Sequence, residues 1–227
     1  MSRMIGHNIA VRLAAAGAMF SVAGVALPAA AADEPEEMAR AASVPQDYAF
    51  AITRNGNRIG DHKIEFSRDG DDLHAVISID IDVSFGPLPL YRYEHRNRET
   101  WRDGRLVAIE TETTENGDDF AVSGMLEGDL FVVDGMEGRL ETAPGIVPTS
   151  YWDMDIVHAT TLLDTQRGTL MEQNEAVMTR DEDLGADCYE LSGDLDLTLC
   201  YADKRLRKLA FEFDGSYIEY QPIDPES

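Results

Sequence analysis

Ser150 is followed within one short stretch by Asp153, Asp155 and His158, so the residue types of a serine hydrolase occur together once in the chain. A nucleophilic serine needs a base at its hydroxyl and a sharp turn to expose it. No G-x-S-x-G elbow surrounds Ser150, and a role in capping or turning the chain before a helix accounts for it better. The histidines downstream of the N-terminal leader, His62, His74, His95 and His158, show neither H-x-x-x-H nor H-E-x-x-H spacing, so no local zinc site is expected. Asp69, Asp71 and Asp72 flank Gly70 without the alternating order and distal glutamate of a calcium loop, and read as a turn. Paired carboxylates of the glycosidase kind are too common in this acidic chain to point anywhere. No catalytic residue, metal ligand or cofactor is assigned, and the chain is expected not to be an enzyme.

Binding chemistry remains. Tyr91, Tyr93, His95, Trp101, Tyr151 and Trp152 offer large apolar surfaces with polar tips, the lining a ligand-binding barrel uses. They compete with a plain account as core aromatics. Most of them sit in residues 91–114, two strand-like runs closing on Asp103-Gly104. A two-residue turn there would pair Arg102 with Arg105, Trp101 with Leu106, Glu99 with Ala108, Asn97 with Glu110 and His95 with Glu112. Alternation then puts Tyr91, Tyr93, His95, Asn97, Glu99 and Trp101 on one face. Arg92, Glu94, Arg96, Arg98 and Thr100 take the other, with Val107 and Ile109. Burying the guanidinium groups would demand a partner for each, so the aromatic face is expected inside. Cross-strand pairing with Glu94, Glu110 and Glu112 is the expected fate of the arginines, ahead of an anion site. With both faces mixed, the hairpin suggests a sheet wrapped round a partly wet interior, or else a solvated edge.

The elements that must position these residues are nearly all strands. Asn55-Gly56, Asp69-Gly70, Asp103-Gly104, Asn116-Gly117, Asp134-Gly135 and Asp214-Gly215 are tight-turn dipeptides, and together they predict a meander. Strands are expected over residues 47–54, 59–67, 73–84, 90–102, 105–114, 119–126, 130–133, 138–142, 170–178, 188–192, 195–201, 207–213 and 217–221. Within 73–84, Leu73, Ala75, Ile77, Ile79, Ile81 and Val83 alternate with polar neighbours and mark a buried face. After Gly145 the alternation loosens, and Asp153 or Asp155 could cap a short helix carrying Ile156, Ala159 and Leu163. A three-residue loop at Gly193-Asp194-Leu195 would set Cys188 opposite Cys200, predicting a disulfide; redox catalysis lacks its C-x-x-C motif. The fold class expected is all-β: a long antiparallel meander curled into a barrel or spiral β-roll with one short helix, in preference to a flat two-sheet sandwich.

The ends and the charge fix the address. Residues 1–32 read as a signal peptide: Arg3 and Arg12 are basic, Leu13 to Leu27 is apolar, and Pro28 and four alanines follow. Cleavage near Ala32 leaves a periplasmic protein with no transmembrane anchor. Residues 33–45 read as a flexible leader, 46–223 as one curled β-domain, and 224–227 as a frayed tail. At a formal net charge of −24 the chain repels phosphate backbones, which argues against nucleic acid as a partner.

The stretches YEHRNRETWRDGRLVAIETET, VPTSYWDMDIV and CYELSGDLDLTLCYADKRLRKLAFEFDGSYIEY, with their W-x-D-G-R-L hairpin, resemble exported proteobacterial families of unknown function. The likeness runs from about Asp47 to Tyr220. It implies a curled antiparallel sheet distantly similar to the periplasmic lipoprotein carriers LolA and LolB, and carries over no catalytic residue. Tyr201 departs from the pattern in being followed by Ala202 before Asp203, which implies a different turn. The function expected is periplasmic binding, carrying or sensing a lipid-like or acyl ligand in the envelope. The alternative is a protein–protein interaction module without a small ligand, presenting a sheet edge or an acidic face to an envelope protein.

Overall fold

The computed structural model describes residues 44–225, so the expected signal peptide, most of the leader and the last two residues lie outside the described part. The first half of the chain is a meander of eight strands: β1 (Tyr48–Arg54), β2 (Asn57–Asp69), β3 (Asp72–Phe85), β4 (Leu88–Arg102), β5 (Arg105–Glu115), β6 (Asp118–Glu127), β7 (Leu130–Gly135) and β8 (Gly138–Thr142). A crossing segment follows, with β9 (Val147–Pro148), a 3-10 turn Met154–Val157, β10 (Thr161–Leu163) and β11 (Leu170–Glu172). The chain ends in a second meander: β12 (Val177–Asp181), β13 (Ala186–Leu191), β14 (Leu197–Ala202), β15 (Arg205–Phe213) and β16 (Ser216–Pro222).

Strand β1 pairs with β16 on one side and β2 on the other, which fuses the meanders into one 13-stranded antiparallel sheet with β8 and β12 at its edges. The sheet curls without closing. Positive φ at Asn55-Gly56, Asp103-Gly104, Asn116-Gly117, Asp203-Lys204 and Asp214-Gly215 gives turns whose twist suits antiparallel strands. The crossing segment forms a three-stranded sheet of its own, β11-β10-β9, inside the curl. One end is held where Met136 N donates to Arg167 O at 2.8 Å, the other where Asn174 N donates to Ser192 O and Asp194 N to Glu172 O, both at 2.9 Å. Gly135 is required at the first contact, because a Cβ there would lie 2.5 Å from Arg167 O. Residues from both halves pack on this segment. Ile64, Ile77, Leu199 and Leu209 share a cluster with Ile156 and Leu162, while Ile109, Phe131 and Val133 share another with Leu163.

The inner face of β3 is the one expected, with Ala75, Ile77 and Ile79 buried and Val76 exposed. Cys188 pairs with Cys200 in the expected register, and the two are joined by a disulfide. Four local expectations change. The β4–β5 hairpin begins in the expected register at Arg102–Arg105 and Trp101–Leu106, but a bulge shifts it by one residue, so that Thr100 faces Ala108, Glu99 faces Ile109, Asn97 faces Thr111 and His95 faces Thr113. Ile109 therefore lies inside, fully buried, and not on the arginine face; strict alternation from the turn would have left it in solvent. Asp134-Gly135 ends β7 and the turn falls at residues 136–137, since Gly135 is spent on the close approach to Arg167 and Gly168. The short helix is a single 3-10 turn whose cap Asp153 accepts from Asp155 N, and Leu163 belongs to β10. The strand expected over 170–178 is two strands, β11 and β12, interrupted where Gln173 bridges to Gly193.

Ile77→Asp puts a carboxylate into the inner face and is expected to cost about 3 kcal/mol or more in urea unfolding, against under about 1 kcal/mol for Ser78→Asp on the outer face. Equal losses would reject the register.

Candidate functional site

Strand β4 builds the site, because its period of two sends one side chain in and the next out. His95, Asn97, Glu99 and Trp101 are buried, and Tyr91 and Tyr93 are half-buried on the same face. On the outer face Arg92 pairs with Asp82 at 3.0 Å, Arg96 with Asp80 at 2.6 Å and Arg102 with Asp72 at 2.6 Å. The partners are aspartates of β3, not the glutamates of the hairpin itself. These exposed pairs contribute little stability.

Glu99 is the centre of the inner face. Its carboxylate accepts from Asn97 Nδ2 at 2.8 Å and from the indole Nε1 of both Trp101 and Trp152 at 2.9 Å. Trp152 comes from the crossing segment, so this carboxylate ties that segment to the sheet wall. Thr111 Oγ1 donates to Thr165 O at 2.7 Å and makes a second tie. Burial pushes the Glu99 carboxyl above its usual range, while hydrogen bonds from the two indoles and Asn97 pull it back. The Ser150 hydroxyl acts on the same carboxyl, although no hydrogen bond of regular geometry satisfies its Oγ. The two indoles meet edge to face at 5.0 Å, and Phe66 closes on Trp152 at 5.1 Å.

The crossing segment leaves a cavity on each side. One, of about 970 Å³, opens at the end of the curl where β4 turns into β5 and has Tyr48, Leu73, Trp101, Trp152 and Met154 among its walls. Its rim carries Arg68, Lys204 and Arg205 together with several aspartates. Arg205 is engaged, donating to the Gln46 and Asp47 carbonyls and stacking over Tyr48 at 4.1 Å, whereas the buried Arg68 Nε has no partner. The other cavity, of about 230 Å³, lies among His62, Tyr93, His95, Tyr151, Ser150 and Tyr220. His95 Nδ1 pairs with Thr113 Oγ1 at 2.7 Å. Burial holds the His95 imidazole down to about 4, with the Arg96 charge adding to it, and the His62 imidazole down to about 3, helped by His95. Both rings are neutral at physiological pH. Burial also raises the phenols of Tyr91, Tyr93, Tyr151 and Tyr220, which therefore stay protonated. Tyr151 holds φ at 66°, a left-handed backbone that costs a non-glycine residue about 1–3 kcal/mol, and its carbonyl is pinned by the Tyr201 hydroxyl at 2.7 Å.

The six residues expected to bind ligand therefore divide. Tyr91, Tyr93, His95 and Tyr151 line the small cavity, and Trp101 and Trp152 the large one. His62 and Tyr220 were not foreseen; alternation of His62 with Ile64 and Phe66 along β2 was the signal available. The hydrolase constellation is not assembled. Ser150 is buried with no hydrogen-bonded base, and His158 is exposed, edge-on to Tyr189 at 6.2 Å.

A curled, incompletely closed antiparallel sheet with an internal crossing segment defines a barrel-like β-protein. The chain belongs to the family described as "Domain of unknown function (DUF6134)", whose profile matches residues 50–223. Its architecture is similar to the crystal structure of a beta-barrel-like protein of domain of unknown function DUF1849 from Brucella abortus. That likeness has a TM-score of 0.52 at 11% identity and covers 80% of this chain and 96% of that one. At such identity it speaks for the fold alone. Among curated proteins none matches the chain in sequence.

Glu99→Ala strands two indole N–H groups and is expected to lower unfolding stability by about 3 kcal/mol, whereas Glu99→Gln keeps an acceptor for them and should cost less than half as much. Urea titration followed by tryptophan emission measures both. Depressed histidines also set a pH dependence. The folded state keeps His62 and His95 neutral, so their contribution is whole above the unfolded value near 6.5 and is lost as pH falls toward about 4 and then about 3. The raised Glu99 runs the opposite way, losing its contribution as pH rises past its ordinary range. Urea midpoints between pH 7 and pH 4 should therefore fall less steeply in His62→Phe than in the native protein; parallel curves would rule out a neutral buried His62.

Proposed function

We propose that this protein is a non-enzymatic binding protein of the periplasm that carries or senses a lipid-like, acyl-bearing ligand of the cell envelope. The carrying observation is the cavity of about 970 Å³ walled by Trp101, Trp152, Tyr48 and Leu73. That volume is at the upper end of small-molecule sites. Two indoles fixed by one carboxylate give an apolar wall that needs no reordering on binding. The mixed charges at the rim, with the unpartnered Arg68 Nε, suit a polar head group over an apolar body. Other features agree with this reading. The leader has the make-up of an export signal, and the disulfide fits an oxidising compartment. Among the described residues no helix is long and apolar enough to cross a membrane. The distant fold similarity to the lipoprotein carriers LolA and LolB, implied by the resemblance to exported families of unknown function, would suit the same reading.

A second reading has its own observation. Edge strand β12 exposes Val177 and Met178, at 60% and 58%, beside an unpaired backbone edge that another envelope protein could extend.

The chain has two tryptophans and both stand in the cavity wall, so their emission reports on this site. Dansyl-undecanoic acid is expected to quench that emission with energy transfer, to be displaced by phospholipid, and to bind at least about tenfold more weakly to Leu73→Arg. If saturating probe leaves tryptophan emission unchanged and no lipid co-purifies with the exported protein, the carrier reading fails and the edge-strand reading takes its place.

A further inference from the structure

The smaller cavity has a chemistry of its own, independent of the lipid reading. His62 is fully buried, at 0% exposure, and neither of its ring nitrogens has a hydrogen-bond partner. A neutral imidazole carries one N–H donor and one acceptor, so in either tautomer both are unmet. One further side-chain atom of the same lining is also orphaned, Asn97 Oδ1, an acceptor; the Ser150 hydroxyl beside it acts on the Glu99 carboxyl without a hydrogen bond of regular geometry. Unmet polar groups at such burial each cost free energy comparable to a lost hydrogen bond, and three of them face one space. The lining includes phenols that stay protonated, one carboxylate, Asp164, whose Oδ1 accepts from the backbone N–H groups of Gln166 and Arg167, and no lysine or arginine. Ile77, Ile79, Ile81 and Phe211 supply the apolar remainder. Ile81, Tyr91 and Tyr93 of the lining are half-buried, so the cavity is not sealed from solvent.

We infer that this cavity is a second binding site, for an uncharged, single-ring molecule carrying hydroxyl groups. Size sets the first limit. A dry cavity of about 150 Å³ already takes a benzene ring, so about 230 Å³ holds one substituted ring and falls short of an acyl lipid. Charge sets the second. An anion would find no cationic side chain here and would meet the Asp164 carboxylate, while a cation would have only that carboxylate, whose Oδ1 is already held by the Gln166 and Arg167 backbone N–H groups, to offset desolvation beside neutral imidazoles and phenols. The mixture of orphaned donors and acceptors sets the third, since one hydroxyl can give its hydrogen to Asn97 Oδ1 and a second can give its own to the bare imidazole nitrogen, while either accepts from the imidazole N–H. The hydrophobic wall suits either the face of an aromatic ring or the apolar face of a sugar.

The test uses the exported, disulfide-bonded protein and histidine ring NMR, in which His62 and His95 report this cavity alone. Resorcinol stands for hydroxylated aromatic rings and methyl glucoside for saturated ones; toluene lacks hydroxyls and benzoate is charged. Resorcinol or methyl glucoside at millimolar concentration should shift the His62 and His95 signals saturably, and which of the two does so identifies the source. Toluene and benzoate should bind at least about tenfold more weakly. Tyr220→Phe, which keeps the ring that meets His62 edge-on at 5.6 Å, should weaken the hydroxylated probe by about tenfold. Should that variant misfold, Ser150→Ala replaces it. Tryptophan emission should not respond to these probes, so failure here is distinguishable from failure of the lipid reading. Ordered water on His62 with no shift from either hydroxylated probe would overturn the inference, as would toluene binding as tightly as resorcinol.

Discussion

One buried carboxylate holds the interior in its form. Taking Glu99 out of water costs several kcal/mol, and no cation among its hydrogen-bond partners offsets that cost. Three N–H donors do so instead, two of them indoles that can give a hydrogen bond and cannot accept one. The arrangement works only if Trp101 on the sheet and Trp152 on the crossing segment converge on the same oxygen. Sheet curvature, the β4–β5 bulge and the path of residues 147–163 must all be consistent with that convergence. Removing any donor leaves a buried carboxyl oxygen short of partners, which is why the crossing segment is held against the wall.

The outer surface follows the opposite logic. Its acids are spread along strands and turns, and the β4 arginines lie over β3 aspartates at distances of 2.6 to 3.0 Å. Each pair is half-exposed and adds little to stability, but it satisfies the guanidinium groups outside and leaves the inner face of β4 to aromatic and polar side chains with Glu99 as its one acid. Had the strand been turned over, Arg92, Arg96, Arg98 and Arg102 would each have needed a buried partner. Register and charge therefore select the same face.

How far this could be read from sequence depends on the range of the interaction. The inner face of β3 and β4, and the Cys188–Cys200 pairing, follow from alternation and turn length, which act over a few residues. The bulge beside Trp101 was not legible, because Val107 looks like any strand residue until Ile109 is seen to be needed inside. Asp134-Gly135 has the form of a turn and is used for a close backbone approach to a segment some thirty residues on, a reason no local pattern contains. The same holds for Glu99. In sequence it is one acid among 43, and only the arrival of Trp152 makes it structural.

The partition of the interior also follows from that carboxylate. Its Oε1 is bonded to Asn97, which lines the smaller cavity, and its Oε2 to the two indoles that wall the larger one. Chemistry separates accordingly along four residues of the crossing segment. Thr149, Ser150 and Tyr151 present polar atoms to the neutral histidines, and Trp152 presents an apolar ring to the open end. Asn97 is the hinge of the arrangement. Its amide N–H₂ is committed to Glu99 while its Oδ1 has no partner, so a hydroxyl donated to that oxygen leaves the bond to Glu99 intact, whereas a flip of the amide would remove a donor from the buried carboxylate. The indole wall is therefore preserved by any occupant of the small cavity that donates to Asn97, and disturbed by one that competes for its N–H₂.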